Sequence, residues 1–127
     1  MSSINFLKCT KEQQHWILAE VKKNPYLIQN LTNLSEEVQL VAVKQYAFAI
    51  KYLTKPSEEM QLEAVRQDGL AIKYLTKPSE EVQLEAVRQN GSVIKYLTDP
   101  SEEVKMVATK MSYNEKFIYF FNKRFSV

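Results

Sequence analysis

The sequence predicts an all-α protein, an α-solenoid of 22-residue two-helix repeats with degenerate capping units at both ends. Three observations point there. The segment from Lys55 to Thr76 recurs almost unchanged from Lys77 to Thr98, and a looser copy runs from Asn33 to Thr54, sharing Ser35-Glu-Glu-Val-Gln-Leu and Ile50-Lys-Tyr-Leu-Thr. Only 2 Gly and 4 Pro occur in 127 residues, too few for the tight turns of an all-β fold. Inside each copy the apolar residues recur at helical spacing rather than alternating.

Each unit reads as a longer helix followed by a shorter one. In the best-preserved copy the first spans about Ser79 to Gln89, with Val82, Leu84, Ala86 and Val87 on one arc and Glu81, Glu85 and Arg88 opposite. Asp99-Pro100-Ser101-Glu102 offers an N-cap, a proline at the first helical position and a glutamate able to close a capping box; Asn33 to Glu36 offers the same cap and glutamate. Where Lys55 and Lys77 occupy that place, Ser57 and Ser79 are expected to cap instead. Asp68-Gly69 and Asn90-Gly91 are expected to supply a left-handed residue that ends the helix. On the second helix Val93, Ile94 and Leu97 share one face and Ser92, Lys95 and Tyr96 the other. Helices of about nine and six residues are unstable alone, so the units must stack to bury their apolar arcs. Gln39, Gln61 and Gln83 fall inside that arc and are predicted to bond backbone groups in the inter-helix turns.

The register extends outward. One period back, Trp16, Leu18, Val21, Asn24, Ile28 and Leu31 take the apolar and turn positions; one period forward, Val104, Met106 and Ala108 do. The repeats thus fill about residues 11–110 of a single domain, 1–127. Residues 111–127 break register and carry Tyr113, Phe117, Ile118, Tyr119, Phe120, Phe121 and Phe125. They are expected to form an aromatic cap whose rings close the open end of the core, with an exposed patch for dimerisation or partner capture as the alternative.

These residues resemble the short α-helical repeats of the HEAT-like group, and Val-x-Leu-x-Ala-Val-Arg-x-Asn-Gly is similar to the core of leucine-rich-repeat-variant modules. The resemblance covers about residues 13–110. It implies an α-helix alternating with a shorter, sometimes 3-10, helix in a right-handed superhelix. It also implies a binding scaffold of the kind found in bacterial, phage and giant-virus proteins, with the second helices lining the concave surface.

Catalysis finds little support. His15 is the lone histidine, so no multi-histidine metal cluster is available, and Cys9 is the lone cysteine, with no activating neighbour in sequence. The pairs Glu36/Glu37, Glu58/Glu59, Glu80/Glu81 and Glu102/Glu103 sit where helices begin and complement the helix dipole. An active site is one asymmetric constellation, which a repeat disfavours. No enzyme activity, metal, cofactor or small-molecule substrate is expected. No signal-peptide pattern opens the sequence and no apolar run approaches about 18 residues, so a cytoplasmic protein without membrane contact is expected.

The outward face of the second helices carries the binding expectation: Phe48, Lys51 and Tyr52, then Leu70, Lys73 and Tyr74, then Ser92, Lys95 and Tyr96, preceded by Tyr26, Gln29 and Asn30. Aromatic rings between regular lysines suit an acidic, partly apolar protein segment. The plainer alternative is rings and lysine stems covering the core, tips in water. A second candidate is a basic edge of Lys44, Arg66, Arg88 and Lys110 that would track a nucleic-acid backbone. It is otherwise explained by the dipole at helix C-termini and by Glu63–Arg66 and Glu85–Arg88 pairs. A net charge of +2 speaks against nucleic acid. The leading expectation is a protein-interaction module, a phage or mobile-element inhibitor of a host protein being one form of it.

Overall fold

The computed structural model describes residues 3–125 and is mostly helical, as an all-α fold requires. Its α-helices are α1 (Lys11–Lys23), α2 (Glu36–Gln45), α3 (Glu58–Gln67), α4 (Glu80–Gln89) and α5 (Glu102–Phe125). Six-residue 3-10 helices separate them: η2 (Pro25–Asn30), η3 (Ala47–Tyr52), η4 (Gly69–Tyr74) and η5 (Gly91–Tyr96), with a short η1 (Phe6–Lys8) ahead of α1. Each α-helix packs on the next, and each of η2 to η5 on the next, so α and 3-10 helices form two layers in chain order. Their shared core is built of columns: Val38, Met60, Val82 and Val104; Ala42, Ala64, Ala86 and Ala108; and, from the 3-10 layer, Ile28, Ile50 and Ile72, all buried. No described helix is long and apolar enough to cross a membrane.

Serine starts four of the α-helices. The Oγ atoms of Ser35, Ser57, Ser79 and Ser101 accept from the amides of Val38, Met60, Val82 and Val104 at 3.2–3.3 Å. This corrects the expectation that Asn33 and Asp99 cap. Those two, with Lys77, instead hold left-handed backbone (φ 52°, 52° and 50°) in the approach to the helix. Pro100 accordingly precedes the cap rather than opening the helix, and the true capping box lies at Thr10 and Gln13. The serines also tie units together: Ser79 and Ser101 donate to the Glu58 and Glu80 carboxylates of the preceding unit.

The glycines are corrected as well, since neither has positive φ. Asp68 and Asn90 are extended, and their side chains accept from the amides of Leu70 and Ser92 to start the 3-10 helix. Gly69 and Gly91 are needed for close approach: a Cβ there would stand 2.8 Å from the Ala86 carbonyl oxygen and 2.6 Å from that of Ala108. At the matching place Tyr46 offers no side-chain cap. Gln67 reaches across instead, accepting from the Ala47 amide at 2.6 Å and donating to the Val43 and Lys44 carbonyls. The glutamine ladder is as expected, with Gln39, Gln61 and Gln83 donating to the carbonyls of Leu34, Pro56 and Pro78 at 2.9–3.0 Å.

Both ends depart from the sequence reading. At the first, Ile4–Asn5 (β1) pairs in parallel with Leu31–Thr32 (β2), and Phe6 is buried with Ile17 and Val21. Trp16, placed by register at a core position, is 64% exposed; among the described residues no repeat unit packs over it, and Ile17 takes the core instead. At the other end the expected cap does not close the core. α5 runs straight on to Phe125, and Tyr113, Phe117, Ile118, Tyr119, Phe120 and Phe121 are exposed. The physical reason lies at Tyr113, which stands where Gly69 and Gly91 meet the following helix without a Cβ; with a large side chain there α5 continues as α-helix. Residues 126 and 127 of that cap lie outside the described residues.

Candidate functional site

The 3-10 layer turns its apolar column, Ile50, Ile72, Ala71 and Val93, into the core. It therefore presents the remaining positions outward. Lys51, Lys73 and Lys95 are exposed, Tyr74 and Tyr96 are exposed at 36% and 43%, and Phe48, Tyr52 and Leu70 are half-buried. Ser92 is exposed, its hydroxyl donating to Asn90.

The rings form one connected array. Tyr52 meets Tyr26 edge-on at 6.4 Å, Tyr26 meets Tyr46 at 5.2 Å, Tyr46 meets Phe48 at 5.4 Å, and Phe48 meets Tyr74 at 5.6 Å. Lysines lie over it: Lys51 Nζ is 5.1 Å from the Tyr52 ring and 5.7 Å from Tyr74, and Lys73 Nζ is 5.0 Å from Tyr74 and 5.7 Å from Phe48. Lys95 repeats the arrangement over Tyr96 at 5.3 Å. These are cation–π distances. They hold each ammonium beside a ring without removing it from water, so the face is at once aromatic and cationic.

Tyr46 belongs to this array but was not among the sequence candidates. It sits at the helix boundary, where the other units carry Asn24, Asp68 and Asn90, and reads there as an imperfect turn residue. Its departure from the repeat is the signal that identifies it. Its hydroxyl is pushed up to about 12, first by a hydrogen bond to Tyr26 that only the protonated form donates, then by desolvation, then by the neighbouring phenols of Tyr26, Tyr74 and Tyr52. A raised folded-state pKa stabilises the fold fully below the unfolded value of about 10. That contribution is lost as pH rises through about 12. Stability is therefore expected to fall more steeply between pH 10 and 12 than in Tyr46→Phe, with one phenol lagging in an absorbance titration. Equal steepness in Tyr46→Phe and the parent would contradict this.

The basic edge is less coherent. Lys44, Arg66 and Arg88 lie in the last turns of α2, α3 and α4, but Lys110 falls inside α5, because that helix continues. Arg66 reaches Glu85 of the next unit at 4.0 Å, where spacing had favoured Glu63, and Arg88 shares the same carboxylate at 3.9 Å. Elsewhere His15 is exposed and the Cys9 thiol contacts the Asn5 carbonyl at 3.5 Å. Among the described residues no group of three His, Cys, Asp or Glu side chains is placed to hold a metal.

Residues 57–100 match a family model described as a domain of unknown function, DUF4116. The matched stretch begins at the Ser57 cap, spans two 22-residue periods and covers about a third of the chain. No curated protein and no solved structure matches the chain.

Proposed function

We propose that this chain is a HEAT-like α-solenoid of 22-residue units, without enzymatic activity, that binds another protein in the cytoplasm through the outward face of its 3-10 helices. The observation that carries this reading is the ring array from Tyr52 to Tyr74 with Lys51 and Lys73 laid over it. Phe48, Leu70, Tyr46 and Tyr52 lean on the core with part of their surface, whereas Tyr74, Tyr96 and the three lysines reach into water. An extended aromatic surface with cations at regular spacing is suited to an acidic segment with apolar side chains: carboxylates meet the ammonium groups and the apolar side chains meet the rings. Between the two most similar units this face differs at Leu70 against Ser92.

The test is capture from source-cell lysate with the tagged chain, with and without nuclease, at about 50 and 200 mM salt. A stoichiometric protein partner that survives nuclease and salt is expected. Tyr74→Ala should weaken its binding about tenfold, as loss of an aromatic anchor does, while Arg66→Ala should change it little. Capture that vanishes with nuclease or salt, and depends on Arg66 and Arg88, would overturn the reading in favour of a phosphate backbone on the basic edge.

A further inference from the structure

The second half of α5 stands apart from the packed layers. Val104 and Ala108 fix one side of the helix against α4, and the opposite side carries Met106, Tyr113, Phe117 and Phe120, which are 59%, 70%, 60% and 62% exposed. At 100° per residue these four fall within one outward stripe, with Glu102 at its start and Arg124 at its end. Rings of this size bury about 150–250 Å² each, so the apolar side chains of α5 leave on the order of 600 Å² in water. That equals or exceeds the largest apolar patch of an ordinary monomer, about 300–600 Å². A projecting helix of a dozen residues is also marginal in water unless something packs on it.

We propose that a second copy of this chain covers the stripe, the two α5 helices pairing antiparallel about a two-fold axis at Tyr113. The stripe is self-complementary about that residue. Met106 and Phe120 lie equally far on either side of it, and so do Glu102 and Arg124. Antiparallel pairing therefore sets each copy's Met106 against Phe120 of its mate and its acidic first turn against the mate's basic last turn, with every contact made twice. Parallel pairing would put like charges together at both ends. Two such patches bury about 1,200 Å², the lower bound of a specific protein–protein interface. Beside the stripe, a groove of about 270 Å³ between Gly91, Ile94, Ala108 and Tyr113 lies where a fold-back 3-10 helix would sit in the other units, and it offers a seat for one of the mate's rings. The pair leaves the 3-10 face of both copies open, giving two binding faces in one particle.

Sedimentation velocity of the full chain from about 1 to 200 μM tests this. A reversible monomer–dimer equilibrium is expected, with helical ellipticity rising as dimer forms. Phe117→Glu and Phe120→Glu should each raise the dissociation constant at least about tenfold, while Trp16→Glu, at the far end, should leave it unchanged. Glu102→Lys should weaken the dimer, and adding Arg124→Glu to the same chain should restore it. A monomer at every concentration would overturn the proposal. Association lost with Trp16→Glu, or a charge reversal that restores nothing, would overturn it too.

Discussion

Gly91→Ala is expected to lower the unfolding free energy by about 2 kcal/mol, and Gly69→Ala by somewhat less. The usual effect of replacing a glycine at negative φ is the opposite. Alanine restricts the unfolded chain and stabilises by about 0.4–1 kcal/mol where the backbone accepts it. Neither glycine has positive φ, so backbone conformation raises no objection. The space does. A Cβ on Gly91 would sit 2.6 Å from the Ala108 carbonyl oxygen, 3.0 Å from Ser112 Oγ and 3.1 Å from Met111 Cβ. The first of these atoms is helix backbone and cannot swing away, so η5 and α5 must separate. Gly69 meets the Ala86 carbonyl at 2.8 Å and Gln89 Cβ at 3.3 Å, a slightly looser fit. Ala47 fills the same position one unit earlier and is buried with its methyl, its amide held by Gln67. Ala47→Gly should therefore cost only the usual penalty, about 0.5–1 kcal/mol. Urea unfolding at constant m-value measures all three. Gly91→Ala as stable as the parent would remove the close-approach explanation.

The contrast between these positions also explains what the sequence made legible. Part of what the repeat sets could be read from it. Ser57 and Ser79 cap as expected, but Ser35 and Ser101 cap too although Asn33 and Asp99 could accept, so the serine of each unit sets the helix start. Gln39, Gln61 and Gln83 bond turn carbonyls, because an amide inside an apolar arc has to be satisfied. The outward positions of the 3-10 helices follow from burying Ile50, Ile72 and Val93. The failures lie where spacing in sequence does not reveal distance in space. A glycine after Asp or Asn fits a left-handed helix end as well as a close contact, and only the neighbouring helix decides between them. Tyr46 joins the ring array through Tyr26, one unit earlier. Trp16 and the α5 rings carry apolar character where, among the described residues, no repeat unit packs over them, which the repeat pattern cannot announce. The parallel pairing of Ile4–Asn5 with Leu31–Thr32 joins segments far apart in sequence and too short to show strand periodicity.

Ile72→Ala should be the most damaging single truncation, about 3–4 kcal/mol. Ile72 is 2% exposed, in a core cluster that joins it to Ala64, Val65, Val82 and Val93 of the flanking elements. The loss combines the transfer energy of the missing methyl groups with a cavity the column cannot close, because Ser57, Ser79 and the glutamine ladder fix the helices on either side. The equivalent Ile94→Ala should cost roughly half as much, since Ile94 is only half-buried and lines the groove left open beside α5. Ile94→Ala costing as much as Ile72→Ala would mean that α5 covers the last unit more fully than this structure shows. Function should follow the same gradient. Ile72 lies beneath Lys73 and Tyr74, so its truncation loosens the 3-10 helix that holds these side chains in the ring array. Partner binding should then fall together with stability. Tyr74→Ala removes a side chain already 36% exposed, and should weaken binding while leaving the unfolding midpoint within a few degrees of the parent. Only a surface used for recognition separates the two substitutions in that way; rings that merely shield the core would lower stability and binding together in both.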